Sequence, residues 1–340
     1  MRCLFILYER CIAMKICVYD ILDYEEPILK TIKSEVQAQL VEIHEPLSLE
    51  TLEAARGCDG VSVLGYSQIN RELLEAMAAM GIRHISTRTI GYDHIDAAAA
   101  RALGIHIYHA YYDPNNVADF TVMMMLILLR KAKISICRAL VNDFSLDGMM
   151  GREMRSLTIG VVGTGKIGAA AVRNLSGFGC RILAYAHHPA PCLAGLADYV
   201  ELDELYARSD IITLHVPLTE QNYHMIDAAA LQKMKRGVIL INTARGKLIE
   251  TESLIQALES GQVGGAGIDT LEEESGVMHV HVGTKVIDNR SLLYLKQFPN
   301  VLYTQHYAFF TQEATESMVR CGIQSILAGV QGTPTPCEVC

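Results

Sequence analysis

The sequence predicts an α/β protein of two doubly wound parallel-sheet domains, on three observations. Short apolar runs rich in β-branched residues alternate with amphipathic segments of helical spacing. That alternation occurs twice, once before about His109 and again from Leu157 onward. The stretch Leu157–Phe178, L-T-I-G-V-V-G-T-G-K-I-G-A-A-A-V-R-N-L-S-G-F, passes from an apolar strand through a glycine turn into a helix. Repeated βα units wind into parallel sheets covered by helices. A chain of 340 residues, 50% hydrophobic, has the length and the apolar content for two domains.

In chain order, Met1–Ala13 is too short and too interrupted by Glu9 and Arg10 to span a membrane. It is expected to be a disordered or wrongly assigned extension, with the fold starting at Met14. Strands are expected at Ile16–Tyr19, Gly60–Leu64, Ile82–Ser86 and Ile105–Tyr108, and helices at Glu26–Gln39, Asn70–Ala79 and Ala97–Leu103. No phosphate-binding glycine motif falls here, so this α/β unit has another use. Its loop Arg88–Asp96 contains Gly91 and exposes backbone N–H groups able to hold a carboxylate. On composition alone it is an ordinary strand-to-helix turn.

Tyr111–Asn116 is rich in turn residues and is expected to be a hinge, with Asn116 capping a helix Val117–Arg138 and Asp119 in its first turn. The apolar run F-T-V-M-M-M-L-I-L-L in that helix is about half the ~20 residues of a membrane span, so burial between domains or subunits is expected. Its methionines are packing residues. A polar connector, Asn142–Arg155, follows.

In Leu157–Phe178 the glycines Gly163, Gly165 and Gly168 form G-x-G-x-x-G between strand and helix. Such a turn lets a dinucleotide pyrophosphate rest on the free N–H groups of a helix N-terminus. Further strands are expected at Arg181–Tyr185, Ile211–Val216, Val238–Asn242, Gly264–Ile268 and Val301–Thr304, with helices at Ala228–Met234 and Glu252–Ser260. Gly237 and Gly261 are helix stops. Glu272–Asn289 is irregular, and the amphipathic helix Gln312–Gly329 is expected to return to the first domain, leaving no room for a regulatory domain after it.

The net charge of -9, with no basic run or basic-aromatic patch, argues against nucleic acid and against an anionic membrane. The 10 cysteines form no evenly spaced framework and no signal peptide precedes them, which points to reduced thiols in a cytoplasm. Cys337 and Cys340 form a C-x-x-C with no second pair and are expected to be an exposed tail. His279-Val280-His281 lacks an evident third ligand, so a loop is expected and no metal site. No G-x-S-x-G elbow is present.

In open α/β sheets the ligand lies beyond the carboxyl ends of the strands. Three ionisable residues follow such ends: Arg245, Glu274 and His306. Each alone has a bland explanation, as surface arginine, solvated glutamate or structural histidine. Together they match the needs of 2-oxo acid reduction. A forked cation holds the carboxylate and polarises the carbonyl (Arg245), a donor that titrates near neutrality protonates the oxygen (His306), and a carboxylate keeps the imidazole protonated and oriented (Glu274).

The motifs V-V-G-T-G-K-I-G, I-N-T-A-R-G (Ile241–Gly246), G-I-D-T-L-E-E-E (Gly267–Glu274) and Q-H-Y-A (Gln305–Ala308) resemble those of the D-isomer-specific 2-hydroxyacid dehydrogenases over nearly the whole chain from Met14. The segments I-S-T-R-T-I-G-Y-D-H-I-D, D-F-S-L-D-G and G-F-G-C-R-I-L-A-Y are most similar to the D-lactate branch, including the vancomycin-resistance type. The resemblance implies a Rossmann cofactor domain, residues 114–307, inserted into a flavodoxin-like substrate domain, residues 1–113 and 308–340, and a homodimer. It implies Arg245, Glu274 and His306 as the catalytic set, and Ile90, Gly91, Tyr112 and Arg245 as the substrate site. The cofactor site it implies comprises Gly163, Thr164, Gly165, Lys166, Ile167, Gly168, Ala186, His187, Val216, Pro217, Thr243, Ala244 and Asp269. The expected reaction is hydride transfer from NAD(H) or NADP(H) to a 2-oxo acid, foremost pyruvate to D-lactate. Alternatives are a reductase of bulkier acids such as 2-oxoisocaproate or phenylpyruvate, and a nicotinamide-sensing corepressor-like protein. The chain departs from the family pattern twice. Gln305 stands where a proline usually precedes the histidine, and the second strand ends Tyr185-Ala186-His187-His188 without the acid that binds a ribose 2′-hydroxyl, which implies permissive cofactor choice.

Overall fold

The computed structural model describes residues 14–274, 279 and 281–340, so the expectations for Met1–Ala13 lie outside the described residues. The chain divides into two compact units, Met1–Asp113 with Thr311–Cys340, and Pro114–Phe310.

The first unit contains β1 (Met14–Val18), α1 (Glu26–Glu35), β2 (Ala38–Glu42), β3 (Gly60–Val63), α2 (Arg71–Ala79), β4 (His84–Thr87), α3 (Ala97–Ala102), β5 (His106–Tyr108) and a C-terminal helix, Gln312–Val330. Its five strands are all parallel in the order β2-β1-β3-β4-β5. That order winds outward from β1 in both directions, as in flavodoxin-like sheets. The period of two sends Cys17 to one face, with Val61, Ile85 and Ile107, and Ile16 and Val18 to the other, against Leu29, Ile32 and Ile323. Asn70 and Asp96 cap α2 and α3, each accepting from the backbone N–H three residues on.

Two expectations for this unit need correction. The helix expected over Glu26–Gln39 ends at Glu35, and Ala38–Glu42 pairs with β1 from Met14↔Ala38 to Val18↔Glu42. No glycine or proline marks that stop; the free edge of β1 takes the segment. The C-terminal residues are not an exposed tail. Val339 and Cys340 exchange backbone hydrogen bonds with Ile107, and His109 N–H donates to Cys337 O, so the tail covers the edge of β5 and buries Cys337.

The second unit contains α4 (Asn115–Leu129), α5 (Ala132–Leu140), β6 (Thr158–Val162), α6 (Lys166–Ser176), β7 (Arg181–Tyr185), β8 (Asp198–Tyr199), α7 (Leu202–Arg208), β9 (Ile211–Leu214), α8 (Ala228–Lys233), β10 (Val238–Asn242), α9 (Thr251–Glu259), β11 (Val263–Ile268), α10 (Arg290–Leu295) and β12 (Val301–Tyr303). Its seven parallel strands run β12-β11-β10-β9-β6-β7-β8. The direction of winding reverses between β6 and β9, the switch point at which such sheets bind dinucleotides.

The single helix expected over Val117–Arg138 is two helices. Lys131 takes a left-handed backbone (φ 50) between α4 and α5. Met124 and Met125 are fully buried in α4, packed with Ile159, Val161 and Ile241. No residue of α5 is buried. Asn116 is not the cap of α4; it lies inside the first turn, after Pro114, and its Nδ2 donates to Phe309 O (2.9 Å).

Candidate active site

The glycine turn sits at the switch point. Gly163 follows β6 with φ +94, and its N–H donates to Tyr185 O at 2.8 Å. A side chain there would be strained and would press on the His215 carbonyl. A Cβ on Gly168 would overlap the Gly163 carbonyl oxygen, so α6 starts in direct contact with the turn. Gly165, the N-cap of α6, has nothing within 4 Å of its Cβ position. Open space against a helix N-terminus, lined by backbone N–H, fits a pyrophosphate. The Thr164 hydroxyl accepts from Tyr199 OH (2.9 Å), which accepts from Ala190 N–H. Lys166 is exposed and Ile167 half-buried at the start of α6.

The other expected cofactor residues fall on the ends of neighbouring strands. Ala186 is half-buried after β7, with His187 and His188 exposed beyond it. Val216 lies against Gly163, and Pro217 is exposed. The Thr243 hydroxyl lies 3.0 Å from that of Thr121, and Ala244 N–H donates to Asn242 Oδ1. Asp269 has a different setting. It is fully buried, and its carboxylate accepts from the Thr304 hydroxyl (2.6 Å) and from the N–H groups of Tyr307 (3.1 Å) and Ala308 (3.0 Å). These bonds hold the loop that carries His306.

Arg245, Glu274 and His306 each follow a strand end on the same edge, after β10, β11 and β12. Glu274 Oε1 lies 2.8 Å from His306 Nδ1, and Glu274 Oε2 accepts from Leu271 N–H (3.3 Å). Both side chains are partly open to solvent, 25% for the glutamate and 35% for the histidine. Arg245 is half-buried, and its Nη1 donates to the Ala244 carbonyl. Asn242 Nδ2 donates to Arg245 O (2.9 Å), which fixes the turn of that loop. Gly246 passes so close to the next loop that a Cβ would overlap the Leu271 carbonyl. The Arg245 loop and the segment bearing Glu274 are therefore in backbone contact.

The first unit has a carboxyl edge of its own. Arg88 is fully buried and donates to Glu25 through Nε (2.8 Å) and Nη2 (3.0 Å) and to Tyr19 O (2.8 Å). It anchors the start of the loop in which Thr89 Oγ1 donates to Gly91 O (2.6 Å). Among the described residues, no acceptor is bonded by the N–H of Ile90 or Gly91. His94 lies 3.1 Å from the Thr87 hydroxyl, and burial pushes its pKa down to about 4, so this loop carries no histidine charge near neutrality. Tyr112 is buried, whereas Tyr24, Tyr66, Tyr92 and Tyr111 stand exposed beyond the ends of β1, β3, β4 and β5.

No group of three His, Cys, Asp or Glu able to hold a metal is present among the described residues. His279 Nε2 lies 3.0 Å from His306 O, and Val280 falls outside the described residues. Sequence reasoning missed Tyr199, Asn242 and Thr304. Only Asn242 had a signal, its place inside the I-N-T-A-R-G motif.

Comparison with known proteins places the chain in a family. Residues 122–308 match the family described as D-isomer specific 2-hydroxyacid dehydrogenase, NAD binding domain. The chain is 39% identical over 315 residues to an aromatic 2-oxoacid reductase of Clostridium sporogenes, covering 92% of this chain and 95% of that one. It is 36% identical to a D-lactate dehydrogenase of Lactiplantibacillus plantarum, with the same coverage of 92% and 95%. The solved structure of a D-2-hydroxyisocaproate dehydrogenase superposes with a TM-score of 0.88 at 34% identity, covering 96% of this chain and 99% of that one. The chain belongs to the D-isomer-specific 2-hydroxyacid dehydrogenase family and is a dehydrogenase with a nicotinamide cofactor.

Proposed function

We propose that the chain reduces a small 2-oxo acid, foremost pyruvate, to the D-2-hydroxy acid, and that Arg245, Glu274 and His306 carry the chemistry. The observation that carries this reading is the 2.8 Å contact between Glu274 and His306 beside the Arg245 loop. When bound, the reduced nicotinamide supplies the hydride that goes to the substrate's carbonyl carbon. Arg245 grips the substrate carboxylate and polarises the carbonyl with its planar fork. The His306 imidazolium gives its Nε2 proton to the carbonyl oxygen, completing the hydroxyl, while Glu274 on Nδ1 orients the ring and stabilises its charge. Hydride to carbon and proton to oxygen balance the reduction; oxidation runs the same steps backward from neutral imidazole. In the first unit, the unengaged N–H groups of Ile90 and Gly91 are proposed as carboxylate donors, and Tyr112 as a packing wall.

A second reading, a preference for bulkier acids, is favoured by the exposed tyrosines at the ends of β1, β3, β4 and β5 and by the aromatic 2-oxoacid reductase relative. Either cofactor is proposed to serve, because Ala186 offers no acid to a ribose hydroxyl. Loss of nicotinamide absorbance with pyruvate, 2-oxoisocaproate and phenylpyruvate, each with NADH and NADPH, tests these readings together. No turnover of any pair refutes the enzyme reading, and a large excess of phenylpyruvate over pyruvate turnover replaces the first substrate with the second.

A homodimer is also proposed. Ile136, Leu140, Phe144, Leu146 and Met150, on α5 and just after it, are 63 to 89% exposed, an apolar surface that a second copy would cover. A stable monomer in light scattering at micromolar protein would refute it. A cytoplasmic location is proposed on the eight described cysteines, all unpaired. No helix among the described residues is long and apolar enough to cross a membrane.

A further inference from the structure

Glu272 stands two residues before Glu274 and turns its carboxylate away from His306. Its Oε2 accepts from both the N–H (2.8 Å) and the hydroxyl (2.6 Å) of Thr251, and its Oε1 lies 2.7 Å from His224 Nε2. Glutamate and histidine are 19% and 24% exposed, so water competes little for the pair. Burial works to raise the Glu272 pKa, but the bonds from Thr251 and His224 outweigh it and hold the carboxyl below its ordinary range. The partners come from different loops of the second unit. His224 lies between β9 and α8 with a left-handed backbone (φ 53), and its N–H donates to Lys247 O, two residues past Arg245. Ile226 and Ile249 bridge the same two loops, and Thr251 opens α9 just after them. Asn289 Nδ2 donates to Glu273 O (3.1 Å) from the other side. Gly246 meets the Leu271 carbonyl beneath. The segment Leu271–Glu274 is thus gripped at Glu272, and two residues on Glu274 meets His306.

We propose that His224, Glu272 and Thr251 form a positioning clamp for the reaction. The clamp sets the segment Leu271–Glu274 against the Arg245 loop and so keeps the Glu274 carboxylate on His306 Nδ1. The inference rests on the reading of Glu274 and His306 as the catalytic pair. None of the three clamp residues reaches His306. Among the described residues, the titratable groups that face His306 are Glu274 at its ring, His279 at its ring and carbonyl, and Asp269 beneath its loop.

The test compares His224→Phe, His224→Gln and Glu272→Gln with Glu274→Gln in the full chain, reading kcat and KM for pyruvate and reduced cofactor across pH, with melting curves as the folding control. His224→Phe keeps ring volume and the stack with Tyr223 but loses the donor to Glu272. The expected result is a kcat lowered about 10-fold or more, a cofactor KM within about twofold of native, and an alkaline limb of reductive kcat/KM moved to lower pH, as in Glu274→Gln. His224→Gln, whose amide can donate to the same oxygen, should restore most of kcat and return the limb. Should His224→Phe fail to fold, Glu272→Gln, which keeps one acceptor oxygen for Thr251 but loses the charge, carries the comparison with the same expected shift. A variant that melts earlier yet keeps the native limb and kcat overturns the clamp, leaving a packing role. If Glu274→Gln itself moves neither kcat nor limb, the catalytic-pair reading fails and the clamp fails with it. A shift in Glu274→Gln without one in the clamp variants refutes the clamp alone.

Discussion

His306 reaches Glu274 from a backbone that few residues adopt: its Nδ1 is 2.8 Å from Glu274 Oε1 while its φ is 55°. A side-chain residue in the left-handed region costs roughly 1–2 kcal/mol. That cost is offset in the loop itself, where the buried Asp269 carboxylate gathers the Thr304 hydroxyl and the N–H groups of Tyr307 and Ala308 on either side of His306. The pose of the ring is thus set by a carboxylate that does not touch it.

Asp269→Ala removes the acceptor of three donors at once, two of them buried. The expected loss of stability is about 2–4 kcal/mol, since each orphaned buried donor costs roughly 1–3 kcal/mol before relaxation, and kcat should fall by at least ~10-fold. Denaturant titration and steady-state kinetics check the pair of effects. Native kcat in a folded variant would detach Asp269 from the pose of His306.

Arg245→Lys keeps the charge and loses the planar fork. Turnover with pyruvate should fall ~100-fold or more while reduced-cofactor affinity, read by fluorescence titration, stays near native. Near-native turnover would remove Arg245 from the site.

Gly246→Ala places a methyl group on the Leu271 carbonyl. Backbone on both sides cannot yield as a flexible side chain would, so the two loops must part. Lower kcat and a lower melting temperature are expected together, and retention of both would mean that the loops tolerate separation.

Ala186→Asp places a carboxylate where the chain now offers only a methyl group. The ratio of kcat/KM for NADH over NADPH should rise by ~10-fold or more, through repulsion of the 2′-phosphate and acceptance from the ribose hydroxyls. An unchanged ratio would put selectivity elsewhere.

The clamp also predicts acid sensitivity of the fold. Glu272 has a lowered folded-state pKa, so its contribution to stability is present above the ordinary carboxylate value and is lost as pH falls through the folded one. Melting temperature should drop on acidification below about pH 4, and Glu272→Gln should flatten that part of the profile. Parallel profiles for native and variant protein would exclude Glu272 from the acid response.

Much of this was legible in the chain because its signals are local. G-x-G-x-x-G after a buried strand announces the switch point, and β-branched runs announce the central strands. What stayed hidden depends on partners distant in sequence. Ala38–Glu42 reads as the end of a helix until β1 offers an edge to pair with. The break at Lys131 carries no glycine or proline. Asp269 sits inside a motif assigned to the cofactor, while its three hydrogen bonds go to residues 35 to 39 positions on, which no spacing rule connects. The clamp joins residues 21 and 48 positions apart for the same reason.

The helix Gln312–Val330 and the strand-like tail after it also impose an order on biosynthesis. Pro114–Phe310 is one uninterrupted stretch, so its sheet can assemble as soon as that stretch leaves the ribosome. The sheet of the first unit is made earlier and finished later. The Ser317 hydroxyl that donates to Tyr111 O (2.7 Å) closes a separation of 206 residues. Until that closure, one edge and the part of one face that α1 leaves open stay uncovered in a nascent five-stranded sheet while the whole second unit is translated. Closing so long a loop slows assembly, and exposed apolar strands invite aggregation in the interval. Aggregation-prone nascent chains should therefore expose the earliest-made strands, and a truncation before Thr311 should yield a folded second unit attached to an unfinished first.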